Sequence, residues 1–433
     1  MRTKTVERKA GKSVQQNGQG ESLPDGWRWV NLGEICVIFN GFAFKSADFV
    51  HEGIPVLKMG NVGKNFDLVW NTSKMSFLPE SHLDDYEKFI VQKNDLLITL
   101  TDMSPSGEYL GTVAIFDREI PALLNQRVGR FVLNEDQVNS TYLYFRLRSR
   151  DFREYVTRDD TGNLQKNTNP KYIYNFRFPL PPIAEQKRIV GILSDRLATI
   201  DQARLATEAQ LEAAQALPAA YLRQIFNSPE AQKWEKKSFG SLALSVQNGI
   251  YKKSEFYGHG HPFLRMYNIH NNSWNLSFHE TTQVEVDDNE LKKFSLKKGD
   301  ILISRVNSFE LVGKSGWVCE RAEGNVFENM LIRVRLKDNI NSMFVAQQLR
   351  TPAIRKQIEE VAKRAIGQSS INSTDVRNLE LLMPSPEKQA KFSSLINEKI
   401  SQIEEVISSL QDQLDTINAF PAALLRQAFN GEL

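Results

Sequence analysis

The sequence predicts an α+β protein of two similar globular halves, each followed by a long helix, and three observations carry that expectation. "LPAAYLRQIFN" (Leu217 to Asn227) and "FPAALLRQAFN" (Phe420 to Asn430) share eight of eleven residues at an offset of 203. The match extends without a gap over residues 186–227 and 389–430. At 433 residues the chain is also too long for one ordinary core and suggests two to four domains.

Upstream of the helices the repeat continues. "PVLKMGNV" from Pro55 matches "PFLRMYNI" from Pro262, and "QKNDLLIT" from Gln92 matches "KKGDILIS" from Lys297. "GNLQKNTNPKYIYNFRFPLPP" from Gly162 matches "GQSSINSTDVRNLELLMPSP" from Gly367. Two repeats of about 200 residues exclude a solenoid or propeller, whose units are roughly 20 to 50 residues long. The expected divisions are a disordered tail over 1–22, globular domains over 23–182 and 228–386, a central helix over 183–227 and a C-terminal helix over 387–433.

Within each half the compact apolar runs "DLLITL", "DILISRV", "GTVAIF" and "MLIRVRL" suit strands. "STYLYFRLRSRDFREYV" and "NSMFVAQQLRTPAIRKQIEEVAKRA" suit helices opened by Ser or Asn caps. In the second long helix Ile396, Ile400, Ile403, Ile407, Leu410, Leu414 and Ile417 follow steps of 4 and 3, the seam of a coiled coil. The first places Leu193, Leu197, Ile200, Arg204, Thr207, Leu211 and Ala214 at those positions, where the Arg204 stem can snorkel past the seam. An amphipathic helix lying on a globular core is the weaker reading of a 3-4 repeat present twice. Pro218 and Pro421 are expected to interrupt or restart the helices, leaving Leu222 and Phe226, or Leu425 and Phe429, as short apolar ridges.

Composition narrows the function. The chain is 41% hydrophobic and 24% charged, with a net charge of +2. Cys36 and Cys319 are its only cysteines and show no CxxC spacing, which argues against a disulfide framework and for a reducing cytoplasm. No run of about 18 apolar residues suggests a membrane span. Residues 1–22 carry five Lys or Arg against two Glu with little apolar content. Residues 23–182 net −2 and 228–386 net +4, so any nucleic-acid binding must use local patches or a partner's charge.

The order of these motifs resembles the specificity subunit of type I DNA restriction-modification enzymes. The residues that carry the likeness are "LPDGWRWVNLGEICVIFNGFAFKSADF", "GIPVLKMGNV", "KNDLLIT", "GNLQKNTNPKYI" and above all "FPLPPIAEQKRIVGIL", over about residues 23 to 430. The second copy departs at "MPSPEKQAKF", where Lys388 replaces the glutamate of the Glu185-Gln186 pair. The resemblance implies two target-recognition domains, each reading half of a split double-stranded DNA site, on two helices that form an antiparallel coiled coil. It also implies two methyltransferase and two restriction-translocase subunits as partners. S-adenosylmethionine, ATP and Mg are then expected on those partners and no cofactor on this chain. A helix from about Lys187 to Leu217 would run roughly 45 Å and act as a ruler for half-sites about one DNA turn apart.

Other chemistry reads poorly. "GKS" at Gly313 to Ser315 lacks the first P-loop glycine, where Ser308 stands. "NPKY" at Asn169 to Tyr172 resembles an adenine methyltransferase pocket, but no glycine-rich cofactor loop accompanies it. His259, His261 and His270 lack further metal ligands and suit loops. No catalytic constellation is expected, which weighs against the recognition part of a fused methyltransferase. A non-catalytic coiled-coil scaffold without DNA affinity is the other alternative.

Base edges are read best by Arg, Lys, Asn and Gln, and phosphates by Lys, Arg and backbone amides. These preferences nominate Lys45, Lys58, Asn61, Lys166 and Asn167 in the first half. In the second they nominate Lys252, Lys253, Arg265, Asn268, Arg305, Asn307 and Gln368, with solvated surface charge the competing explanation for about half of the set. Leu222, Phe226, Leu425 and Phe429 are the expected methyltransferase docking residues, the competing expectation being that they seal the helix ends against a recognition domain.

Overall fold

The computed structural model describes residues 23–104, 107–158, 166–271 and 273–433, with Lys166 described by its backbone alone. The expected tail over 1–22 lies outside the described residues, as does the stretch 159–165. The chain divides into two compact units. One takes the described residues up to Leu205 together with Asp415–Leu433, and the other Ala206–Leu414.

The first unit is built on an antiparallel sheet in the spatial order Cys36–Asn40, Val128–Leu133, Leu96–Thr99, Val113–Ile115. The second unit repeats it with Ala243–Asn248, Leu331–Leu336, Ile301–Ser304 and Ser315–Trp317. The run Leu96–Thr99 is apolar throughout because each face of its sheet covers a separate core. Leu96 and Ile98 enter one and Leu97 the other, as alternation along a strand demands. Ile301 and Ile303 are divided from Leu302 in the same way. Gly41 and Gly249 follow equivalent strands at points where a Cβ would stand 2.3 Å from the Leu124 carbonyl oxygen and 2.1 Å from that of Glu328, so only glycine passes.

Two sequence-predicted helices are each broken in two. The first becomes Ser140–Leu147 and Arg150–Thr157, and the second Ser342–Gln348 and Pro352–Val361. Asn139 and Asn341 cap the leading pieces, accepting from the amides of Tyr142 at 3.0 Å and Phe344 at 2.9 Å. Ser149 and Thr351 stand extended at the breaks, and Pro352 forces the residue before it out of helix. Residues 363–365, expected to be helical, form a strand instead.

Each globular fold closes on itself just before its long helix. Arg28–Asn31 pairs antiparallel with Arg177–Leu180, and Glu235–Ser238 with Glu380–Met383. The helices Ile183–Phe226 and Pro386–Phe429 then begin, each 44 residues and so roughly 66 Å long. A buried glutamine fixes each start. Gln186 accepts from the Asn139 amide at 2.8 Å and donates to the carbonyls of Pro181 and Gln137 at 2.8 and 2.9 Å. Gln389 accepts from Asn341 at 3.0 Å and donates to Pro384 at 2.9 Å. Residues Glu185 and Lys388, where the repeats differ, make surface ion pairs instead, with Arg188 at 2.7 Å and Glu230 at 2.8 Å. The change of sign therefore leaves the junction intact.

Pro218 and Pro421 lie inside continuous helices, correcting the expected interruption. A proline removes one backbone hydrogen bond, but burial on both sides of it holds the helix together: Ala214 and Leu222 flank Pro218, and Ile417 and Leu425 flank Pro421. In the first unit Leu193, Leu197 and half-buried Ile200 share a core with Leu424, Leu425, Ala428 and Phe429. In the second unit Leu222, Ile225 and Phe226 share one with Ile396, Ile400, Ile403 and half-buried Ile407. The start of each helix thus packs beside the end of the other, which makes the pair antiparallel. Ile417 is buried, while Leu211, Leu410 and Leu414 are half-buried.

The docking expectation for Leu222, Phe226, Leu425 and Phe429 is corrected by this packing. Each is less than a tenth exposed inside its own unit and offers no apolar ridge to a partner. Replacing Phe226 or Phe429 by alanine should cost about 3–5 kcal/mol, measured by urea denaturation. Burial pushes the Cys36 thiol up to about 12, and Cys319 is only half-buried. Ellman's reagent should therefore titrate Cys319 in the folded chain and Cys36 only after denaturation.

Candidate nucleic-acid interface

The motif "PVLKMGNV" and its copy each build a strand running into a single 3-10 turn, Met59–Asn61 or Met266–Asn268. The asparagines close these turns. Asn61 accepts from the Lys58 amide at 2.8 Å and donates to the Val69 carbonyl at 3.0 Å. Asn268, 1% exposed, accepts from the Arg265 amide at 2.8 Å and donates to the carbonyls of Ser277 and Glu280 at 2.9 and 2.8 Å. Asn268, buried with both amide hydrogens donated, is a scaffold residue, and its nomination as a DNA contact is corrected, while half-buried Asn61 closes the equivalent turn.

The neighbouring cations are partly engaged as well. Lys58 donates to Ser76 Oγ at 2.5 Å and sits 4.2 Å over the Phe49 ring. Burial, followed by the charge of Arg127, holds its ammonium below the ordinary lysine value. Arg265 pairs with Glu328 at 3.1 Å and stacks on Tyr267. Lys252 pairs with Glu290 at 2.6 Å with its side chain 15% exposed, so its ammonium is engaged within the fold. Lys45 and Lys253 stand exposed just before the short turns Ser46–Asp48 and Ser254–Phe256.

The remaining candidates gather at small sheets. In the first unit Lys166 and exposed Asn167 pair with Thr101 and Asp102. In the second, Val306–Asn307, Gln368–Ser370 and Lys363–Ala365 form a three-stranded sheet that brings Arg305, Asn307 and Gln368 together. Asn307 is half-buried and spends its side-chain oxygen on the Ser308 amide at 2.9 Å. Gln368 is exposed.

That sheet holds residues the sequence reading missed. Ala365 pairs with Gln368, so Ile366 and Gly367 form a two-residue turn, with Gly367 at φ 75°. Lys363 and Arg364 are exposed, and Ile366 is 105% exposed, the highest value among the exposed large apolar residues. The Arg364 guanidinium lies 3.7 Å over the Phe309 ring. The signal available was Ile-Gly between short polar runs, a turn dipeptide with glycine second, hidden by carrying the preceding helix through Ala365.

The motifs set aside have structural roles. Asn169 caps the short helix Pro170–Ile173, accepting from the Lys171 amide at 2.9 Å. Lys314 donates to Ile269 and Asn271 at 3.0 and 3.1 Å rather than facing an open phosphate loop. His259 contacts Glu285 at 3.1 Å. Among the described residues no group of three His, Cys, Asp or Glu is placed to hold a metal ion, and no helix is long and apolar enough to cross a membrane.

Comparison with known proteins places this architecture. The family model for the type I restriction modification DNA specificity domain matches residues 24–213 and again 231–418. The specificity subunit of the type I restriction enzyme EcoKI from Escherichia coli K12 is 23% identical over 430 residues, covering 95% of this chain and 90% of that protein. The MjaVIII specificity subunit of Methanocaldococcus jannaschii is 31% identical over 191 residues, 44% of this chain and 43% of its own. In fold, the chain resembles one from a type I R-M system studied for complex assembly and conformational transition, with TM-score 0.73, 17% identity and coverage of 95% and 100%. The HsdS subunit of Thermoanaerobacter tengcongensis follows, with TM-score 0.58, 17% identity and coverage of 96% and 99%. Two family domains on two long helices, with relatives matched along nearly the whole length, make this chain a member of the type I restriction-modification DNA specificity family, a non-catalytic specificity subunit with two target-recognition domains.

Proposed function

We propose that the chain reads a bipartite, asymmetric double-stranded DNA site, one half with each unit. It would receive two methyltransferase subunits and, through them, two restriction-translocase subunits. S-adenosylmethionine, ATP and Mg would be bound by those partners. The observation that carries this reading is the pairing of one fold with two different sets of candidate contacts. The same sheet recurs in both units, but Thr101 and Asn167 pair in the first where Val306 and Ser370 pair in the second. Equivalent scaffolds with unlike edge residues suit two unlike half-sites.

Exchange of residues 23–182 for the matching domain of a relative tests the division. Methylome sequencing of the host should then show one half-site changed and the other retained. A change in both halves would refute a separate reader in each unit.

The apolar residues that open the repeated helix ends favour a docking position. Leu217 and Phe420 are 48% and 50% exposed, and Phe420 borders a groove with Ile200, Ala423 and Leu424. Glutamate at Leu217 or Phe420 should lower the methyltransferase count from two per chain to one, read by native mass spectrometry, with little shift in thermal unfolding. An unchanged count in both variants would remove these residues from the docking face.

A further inference from the structure

We propose, on the basis of that DNA-reading function, that the hairpin Lys363–Ser370 enters the major groove of the half-site read by the second unit, where Ile366 packs against a thymine methyl group. Lys363 and Arg364 would hold the flanking phosphates.

Four features support this assignment. The turn end of the hairpin, Ala365 to Gln368, extends beyond the third strand of the sheet as a two-stranded ribbon, the form that a major groove about 12 Å across admits. Its base is anchored: Val306–Asn307 pairs with its second strand, and Arg364 on its first strand lies 3.7 Å over the Phe309 ring. Its charge suits a polyanion. Lys363 and Arg364 are exposed on its first strand, while Glu359 is taken up by Arg355 at 2.7 Å.

The fourth feature is Ile366 itself. Gly367 has positive φ and Ile366 does not, the pattern of a type II turn, whose first central position accepts most residues and favours proline. The turn therefore does not require isoleucine, and at full exposure no packing does either. A β-branched apolar side chain held out at the turn, on a ribbon whose first strand carries two cations, matches the outer edge of a T·A pair, whose methyl group is the one apolar feature of the major groove. The first repeat has Thr161 before Gly162 where the second has Ile366 before Gly367, so the other half-site would be read by different chemistry.

The test uses the full chain co-purified with its methyltransferase subunits and a duplex carrying the motif found by methylome sequencing of the host. Ile366→Ala should weaken binding of this duplex about tenfold, within the range that the loss of one specific contact causes, and leave thermal unfolding unchanged. Replacing each thymine of the second half-site by uracil should weaken wild-type binding at one position. The same replacement should have no further effect on Ile366→Ala. Lys363→Ala with Arg364→Ala should weaken cognate and unrelated duplexes alike and reduce the salt dependence. Unchanged affinity in Ile366→Ala, or equal uracil effects in variant and wild type, would overturn the hairpin assignment while leaving the family function standing. Failure of the wild-type complex to prefer its own motif would overturn both.

Discussion

Each recognition fold has its interior closed by a helix end that belongs to the opposite repeat. In the first unit Phe429 stands edge-on to Tyr142 at 5.7 Å and beneath the Arg146 guanidinium at 5.2 Å. Arg146, 3% exposed, meets both Asp151 oxygens at 2.9 and 2.6 Å, which offsets the cost of burying its charge. In the second unit Phe226 packs against Phe344 at 5.4 Å and Trp234 at 6.2 Å. Removing such a ring would open a core rather than blunt a surface. The buried glutamines fix the other end of the same problem, tying each long helix to the cap of the helix that its partner's end covers.

The internal repeat serves as a comparison of a fold with itself. Positions that agree between copies are occupied by structural devices: Asn61 and Asn268 close turns, Gln186 and Gln389 lock junctions, and Phe226 and Phe429 fill cores. Positions that differ, such as Asn167 against Ser370 in the small paired strands, include exposed ones. Shared sequence between two readers of different half-sites marks what both must build. Divergence is where a difference in recognition has to lie.

This explains what was legible in the sequence. The fold class followed from the repeat, the coiled-coil seam from its 3.5-residue period and the strands "DLLITL" and "DILISRV" from compact apolar runs, signals set by burial and spread over many residues, while the antiparallel pairing was what the family resemblance implied. The seam positions of the second helix were equally plain. Nominating readers by residue type within shared motifs selected caps, because an asparagine that closes a 3-10 turn and one that could meet adenine look alike along a chain. The helix ends were misjudged for a related reason. Leu425 and Phe429 form an apolar ridge whichever surface covers them, and only long-range packing tells a core from a docking face. The exposed hairpin was missed because the helical pattern of "IRKQIEEVAKRA" continues past the point where the chain turns extended.

The helix ends also bear on how such a chain is divided. One repeat, a recognition fold with the helix that follows it, is not a folding unit. Its own core lacks the helix end that the other repeat supplies, and its own helix carries an end that fits elsewhere. The relation is that of a domain-swapped dimer written on one polypeptide. A single repeat could complete its interior only by exchanging helices with a second copy of itself, and the two recognition folds of that pair would be identical.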